Sequence, residues 1–102
     1  MALERGLDMD KQKLRYAILR EIDKNNMPLT EVEFGVIKEE FDNAIRFLDC
    51  EEYLSGIDYA DGRPWINKLD SELTEKGEKY LKDNSALAKA YKGLKEIKDW
   101  LK

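Results

Sequence analysis

The stretch that most constrains the fold is YLSGIDYADGRPWINKLDSELTEKGEKYL, from Tyr53 to Leu81. Asp61-Gly62 lies between two short β-prone runs, and a two-residue hairpin turn needs positive φ, which Asp-Gly reaches at low cost. The run Leu73-Thr74-Glu75-Lys76-Gly77 then opens a helix. A threonine at the N-cap accepts one of the orphan backbone N–H groups, and the glycine permits close approach of a neighbouring backbone. A hairpin feeding directly into a helix is therefore predicted, with the return strand over Pro64–Leu69 and the helix over about Glu75–Asp83. The first strand is expected over Tyr53–Tyr59, where alternation leaves the buried face open. Pro64 cannot donate a ladder hydrogen bond and belongs at the start of an edge strand.

Upstream, Leu14, Ile18 and Ile22 repeat at helical spacing from about Asp10, with Leu19 beside them and Tyr16 almost opposite. A helix apolar on two sides is expected to be covered from two directions. Asn25-Asn26 ends it, because Asn tolerates the left-handed C-cap conformation, and Pro28 keeps the chain extended. Thr30-Glu31-Val32-Glu33 reads as a capping box, with Leu29 and Phe34 placed as a hydrophobic staple. Gly35 breaks this short helix and gives a helix-turn-helix corner. The third helix is predicted over Lys38–Cys50. Phe41, Ala44, Ile45 and Leu48 face its core, and Glu39, Asn43, Arg46 and Cys50 face solvent, flanked by Glu40 and Asp42. At the other end Asn84 stops the fourth helix and Ser85 caps the last. Leu87, Ala90, Tyr91, Leu94, Ile97 and Leu101 then predict one amphipathic helix over Ala86–Lys102, packed on the first helix or on a partner.

The expected class is α+β: a winged helix-turn-helix with a two- or three-stranded antiparallel wing sheet and an added C-terminal helix. Residues 1–9 form a disordered extension, 10–84 the winged-helix domain and 85–102 the terminal helix. At 102 residues the chain holds one modest core. It has no apolar run long enough to span a membrane and no secretory signal, which points to the cytoplasm. The single cysteine, Cys50, has no internal partner for a disulfide.

The quoted residues also carry a family resemblance. Lys13-Leu14-Arg15-Tyr16-Ala17-Ile18-Leu19, Pro28-Leu29, Gly35-Val36, Phe41-Asp42 and Phe47-Leu48 continue through Asp61, Arg63-Pro64, Glu72 to Glu78, Tyr80-Leu81-Lys82 and Lys95 to Trp100. Together they resemble the YjcQ-type family of small proteins from Gram-positive bacteria and their phages, over Asp10–Lys102. The resemblance implies a winged-helix fold and prophage association, and it transfers no catalytic residue. Two positions depart from the family pattern. Glu52 stands where glycine is usual before the wing, and Ile37 stands where a Ser or Thr would cap the third helix.

Charge decides between functions. Segment 29–62 holds two basic and ten acidic residues, whereas 86–102 holds five basic and two acidic. On a DNA-reading surface Asn43 and Arg46 would meet base edges and Arg63 a phosphate. Affinity for DNA comes largely from Lys and Arg, so this acidic surface argues against a duplex. The chain has no histidine, no triad around Ser55, Ser71 or Ser85 and no phosphate loop, so no enzyme is expected, and no cofactor. The Asp8–Asp10 pair and the Asp49-Glu51-Glu52 group read as solvent or cap residues with no metal. The expected role is non-enzymatic binding of a protein partner, either a second copy or a phage or host component. Its candidate surfaces are the helix-three and wing face (Glu39, Asn43, Arg46, Asp61, Arg63) and the terminal helix (Leu87, Tyr91, Leu94, Ile97, Leu101). The expected oligomeric state is a monomer or weak homodimer. A DNA-binding regulator is the alternative, and a scaffold within a phage particle a third reading.

Overall fold

The computed structural model describes residues 11–26 and 29–101. The expected extension over 1–9, the Asp8–Asp10 pair, Pro28 and Lys102 lie outside the described residues. The fold is α+β, with helices around two small antiparallel sheets.

Helix α1 (Lys11–Asp23) is the centre of the core. It buries Leu14, Tyr16, Ala17, Ile18, Leu19, Glu21 and Ile22, so it is covered almost all round, as its two-sided apolar pattern predicts. Asn25 closes it at φ +61. Helix α2 (Glu31–Phe34) starts on the predicted capping box: the Thr30 hydroxyl accepts from the Val32 amide at 3.3 Å, and the Glu33 carboxylate accepts from the Thr30 amide. Gly35 ends it at φ +67, a left-handed position. Helix α3 (Lys38–Cys50) buries Phe41, Ala44, Ile45 and Leu48 against α1, with each of the three larger side chains worth roughly 1.5–3 kcal/mol. Its N-cap, Ile37, has no side-chain acceptor to offer. The Glu40 carboxylate instead takes the Ile37 amide at 3.2 Å.

The chain leaves α3 through Glu52 at φ +66. That is a left-handed conformation in which a Cβ is strained. Glu52→Gly is therefore expected to stabilise the domain by about 0.5–1 kcal/mol, the relief of strain outweighing the added freedom of the unfolded chain. A higher urea midpoint with unchanged slope would show it, and a lower one would contradict it.

The expected single first strand is divided into β1 (Leu54–Ser55) and β2 (Asp58–Ala60). Gly56 separates them at φ +73, with a backbone approach so close that an added Cβ would lie 1.9 Å from the Asp70 carbonyl oxygen. The expected return strand is likewise shortened to β3 (Arg63–Trp65), followed by a turn and β4 (Glu72–Leu73). The turn is held by Asn67, whose Oδ1 accepts from the Leu69 and Asp70 amides at 3.1 and 2.7 Å. Two separate sheets result: β1 pairs with β4 (Leu54 with Leu73), and β2 pairs with β3 (Tyr59 with Pro64). Asp61 and Gly62 join β2 to β3 at φ +54 and +75, which is the turn their identities predict.

Helix α4 (Glu75–Asp83) begins at Thr74, whose hydroxyl accepts from the Gly77 amide at 3.0 Å. Asn84 then donates from its side chain to the Tyr80 carbonyl at 2.7 Å and so closes α4. Ser85 is the first residue of α5 and not its cap.

The predicted continuous terminal helix is not formed. Instead α5 (Ser85–Ala90) stops, Gly93 turns the chain at φ +97, and a 3₁₀ turn (Leu94–Glu96) leads into α6 (Ile97–Trp100). The apolar stripe nevertheless turns inward. Ile97, Trp100 and Leu101 are buried, and Leu87, Tyr91 and Leu94 are partly buried against the same core. The Trp100 indole donates to the Lys13 carbonyl at 2.9 Å, and the Tyr91 hydroxyl donates to the buried Glu21 carboxylate at 2.6 Å. The three rings form one cluster: Tyr16 is 6.0 Å from Tyr91 and 6.1 Å from Trp100, and those two are 5.2 Å apart, centroid to centroid.

Burial of the Tyr91 phenol, and next its bond to Glu21, raise its pKa well above the ordinary 10.0. The phenol is neutral in both states at pH 7, so its contribution is complete below about pH 10 and is lost as pH rises through and beyond that value, where the unfolded chain ionises first. Tyr91→Phe is expected to cost roughly 1–2 kcal/mol at pH 7 by removing a donor from a buried carboxylate. The difference from wild type should shrink above pH 10 in paired urea titrations.

Candidate functional site

The surface formed by α3 and the β2–β3 hairpin holds the residues that the sequence singles out for recognition. The structure brings Glu39, Asn43, Arg46, Asp61 and Arg63 onto these two elements, yet it gives the arginines internal work. Arg63, half-buried at the start of β3, donates from Nε to Asp42 Oδ2 at 2.8 Å and from one Nη to Asp42 Oδ1 at 2.9 Å. The same Nη reaches Glu31 Oε1 at 3.0 Å. Its guanidinium also stacks on the Trp65 ring, 4.7 Å from the centroid. Asp42, expected beside the solvent face, is buried. Its position next to Phe41 lets it turn into the seam between α3 and the hairpin, where a fork-shaped cation satisfies both oxygens.

This triad fastens α2, α3 and the hairpin together through three side chains distant in sequence. Glu31 is held below the usual carboxyl range, first by a backbone amide and next by Arg63. Arg63 is driven upward, mainly by Asp42, and remains a cation at any accessible pH. Such a group is anchored twice over and cannot turn toward a phosphate without leaving a carboxylate buried and unpaired.

Arg46 is exposed, but it too is directed inward. One Nη donates to the Gly62 carbonyl in the hairpin turn at 2.8 Å, and the other to Asn43 Oδ1 at 3.3 Å. Asn43, the second candidate base reader, is therefore occupied by the first. Asp61 is exposed at the turn and Glu39 is exposed on α3. Tyr59, opposite Pro64 in the hairpin, donates its hydroxyl to Asp49 Oδ2 at 2.7 Å. The residue is 54% exposed, and partial desolvation followed by the Asp49 bond pushes its pKa up to about 12.

Two features of this face escaped the sequence reading. Asp42 and Glu31 hold Arg63, and no local spacing connects them. The α2–α3 corner also presents Val32 at 75% and Ile37 at 61% exposure, two large aliphatic side chains where a phosphate-binding corner would offer polar donors. The absence of a Ser or Thr cap at Ile37 was the available signal for the second.

The other candidate groups have structural duties. The Ser71 hydroxyl donates to the Gly56 carbonyl and accepts from the Asn67 amide, both at 2.9 Å. Cys50 is exposed at the end of α3. Among the described residues no three metal-binding side chains lie close enough to hold an ion, and no helix is long and apolar enough to cross a membrane. Of the C-terminal candidates, Ile97 and Leu101 are buried in the core, and Leu87, Tyr91 and Leu94 are partly buried against it.

Comparison with known proteins gives a match to the family described as YjcQ protein over residues 11–100. The chain is 56% identical over 94 residues to a protein of Bacillus subtilis (strain 168) described as "Uncharacterized protein YjcQ", covering 92% of this chain and 100% of that one. The solution NMR structure of the YjcQ protein from Bacillus subtilis superposes with a TM-score of 0.65 at 54% identity, over 71% of this chain and 92% of that one.

Proposed function

The chain belongs to the YjcQ family, and from that premise we propose that it is a winged-helix interaction module that binds a protein partner without catalysis. In this reading α2 and α3 are the helix-turn-helix, the β2–β3 hairpin is the wing, and the acidic α3/wing face is the docking surface. The observation behind it is the position of the two arginines. Arg63 is tied to Asp42 and Glu31, and Arg46 to Gly62, so the cations that would neutralise phosphate are engaged inside the molecule. Glu39 and Asp61 remain at the surface. Exposed Val32 and Ile37 supply apolar contact at the adjoining corner, the combination of an aliphatic centre and a charged rim that protein partners use.

Absence of catalysis is supported by the lack of histidine and by the structural occupation of Ser71. The competing reading, a DNA-binding regulator, follows from the winged-helix architecture alone. Titration of a labelled random duplex at about 50 mM salt separates them. The proposal expects no saturable binding at protein concentrations below roughly 100 μM. Binding tighter than about 1 μM that weakens steeply with salt would overturn it.

A further inference from the structure

The β2–β3 hairpin has an edge that the described residues leave open. In an antiparallel pair, two directly opposed residues exchange both backbone hydrogen bonds or neither. Tyr59 stands opposite Pro64, which has no N–H to give, so the Tyr59 N–H and C=O point away from β3. Asp58 and Ala60, opposite Trp65 and Arg63, have the alternate phase and turn theirs inward. No loop, cap or side chain among the described residues takes up the Tyr59 backbone, and all three residues of β2 are exposed. The other edges differ. On β3 the outward position is Pro64 itself, which is buried and blunts that edge, and the β1–β4 pair packs against α3 and α1. The hairpin is also fixed before any partner arrives. The Trp65 indole donates to the Ala60 carbonyl at 3.1 Å, Arg46 donates to the Gly62 carbonyl, and the Tyr59 hydroxyl donates to Asp49.

We infer that the outer edge of β2 is a strand-addition site, and that its occupant is an extended segment of another protein carrying lysine or arginine at alternate positions. Backbone groups supply the pairing and do not depend on the partner's sequence. Charge supplies the preference. Asp49 and Asp58 accept from neutral groups, the Tyr59 hydroxyl and the Asn67 side-chain amide, and Asp61 is exposed in the adjoining turn. Among the described residues none of these three carboxylates is ion-paired, unlike Asp42 and Glu31. Arg63 is neutralised by those two, so Arg46 alone stands against three acids. The Tyr59 ring adds a face on which an ammonium or guanidinium can rest. A second copy is the poorer occupant, because pairing β2 with β2 about a two-fold axis brings the same three carboxylates together in one seam. This inference rests on the protein-partner reading above and gives that partner its chemistry.

Titration of the ¹⁵N-labelled full chain with an end-blocked hexapeptide of alternating valine and lysine, at about 50 mM salt, tests it. The Tyr59 amide should shift the most and saturate by about 2 mM peptide, while the Asp58 and Ala60 amides, already turned into the hairpin, should move less. A peptide of alternating valine and glutamate should bind at least about tenfold more weakly. Tyr59→Pro removes the outward N–H, which the hairpin does not use, and should weaken binding about tenfold or more. Tyr59→Phe loses the bond to Asp49 but keeps that N–H, and should still bind. Asp58→Asn with Asp61→Asn leaves the backbone edge and the left-handed turn in place, and should weaken the lysine peptide about threefold or more. A Tyr59 amide that does not move by about 2 mM peptide, equal binding of the two peptides, or full binding by Tyr59→Pro would overturn the inference. So would a shift of that amide with protein concentration alone, which would make a second copy the occupant. Failure here without duplex binding leaves the protein-partner reading standing, whereas duplex binding tighter than about 1 μM removes that reading itself.

Discussion

Gly77→Ala is expected to destabilise the domain by about 2–4 kcal/mol, although alanine inside a helix ordinarily gains about 1 kcal/mol over glycine. The reversal has a local cause. A Cβ at position 77 would lie 2.2 Å from the Tyr53 carbonyl oxygen, 3.1 Å from its carbon and 3.3 Å from Leu73 Cγ. The two nearest of these atoms are backbone, and their segment is fastened: the Tyr53 carbonyl accepts from the Thr74 amide at 3.1 Å, the Glu52 carbonyl from the Thr74 hydroxyl at 2.5 Å, and the Glu51 carbonyl from Lys76 Nζ at 2.8 Å. The first turn of α4 is thus docked on the segment that leaves α3, and relief of the clash requires the two to separate. Urea unfolding should show a lower midpoint at unchanged slope. A midpoint raised by the helical preference for alanine would show that α4 does not rest on Tyr53.

Asp42→Ala is the second large effect, with an expected loss of about 3 kcal/mol, because it leaves a half-buried guanidinium with Glu31 as its only carboxylate. Replacing both partners, Asp42→Ala with Arg63→Met, should recover part of that loss, since the buried pair is removed together and only the more exposed Glu31 carboxylate is left without its cation. The single variant also has a functional consequence. Freed from Asp42, Arg63 can reach outward, so Asp42→Ala should bind duplex DNA more tightly than wild type at low salt, where surface charge is least screened. Equal stability of wild type and Asp42→Ala would mean that the triad does not fasten the hairpin to α3.

What could be read from the sequence was local. Thr30-x-x-Glu33, Asp61-Gly62 and Thr74 each act over no more than three or four residues, and each sits where its chemistry requires. The limits of α3 and α4 follow from the same short-range signals. The misses arise where distant segments meet. Gly56 divides the expected first strand because Asp70, fourteen positions away, approaches its backbone. The terminal stripe satisfies helical spacing on either side of Gly93, so periodicity passes through a residue whose φ of +97 breaks the helix. Asp42 appears solvent-facing on a helical wheel because no wheel includes Arg63, 21 residues further on. Of the candidate surface, the sequence shows which residues share α3 and the hairpin but not that Arg63 and Arg46 are bonded within the fold, to Asp42, Glu31 and the Gly62 carbonyl.

The internal engagement of Arg63 can be observed directly by following its Nε–Hε resonance in a ¹⁵N-labelled sample while a duplex is added at low salt. The fold predicts a resolved signal, protected from exchange by the 2.8 Å bond to Asp42, that stays in place throughout the titration and collapses into the solvent-exposed envelope in Asp42→Ala. A signal that exchanges freely in the wild type, or that moves as duplex is added, would contradict it and return this face to nucleic-acid recognition.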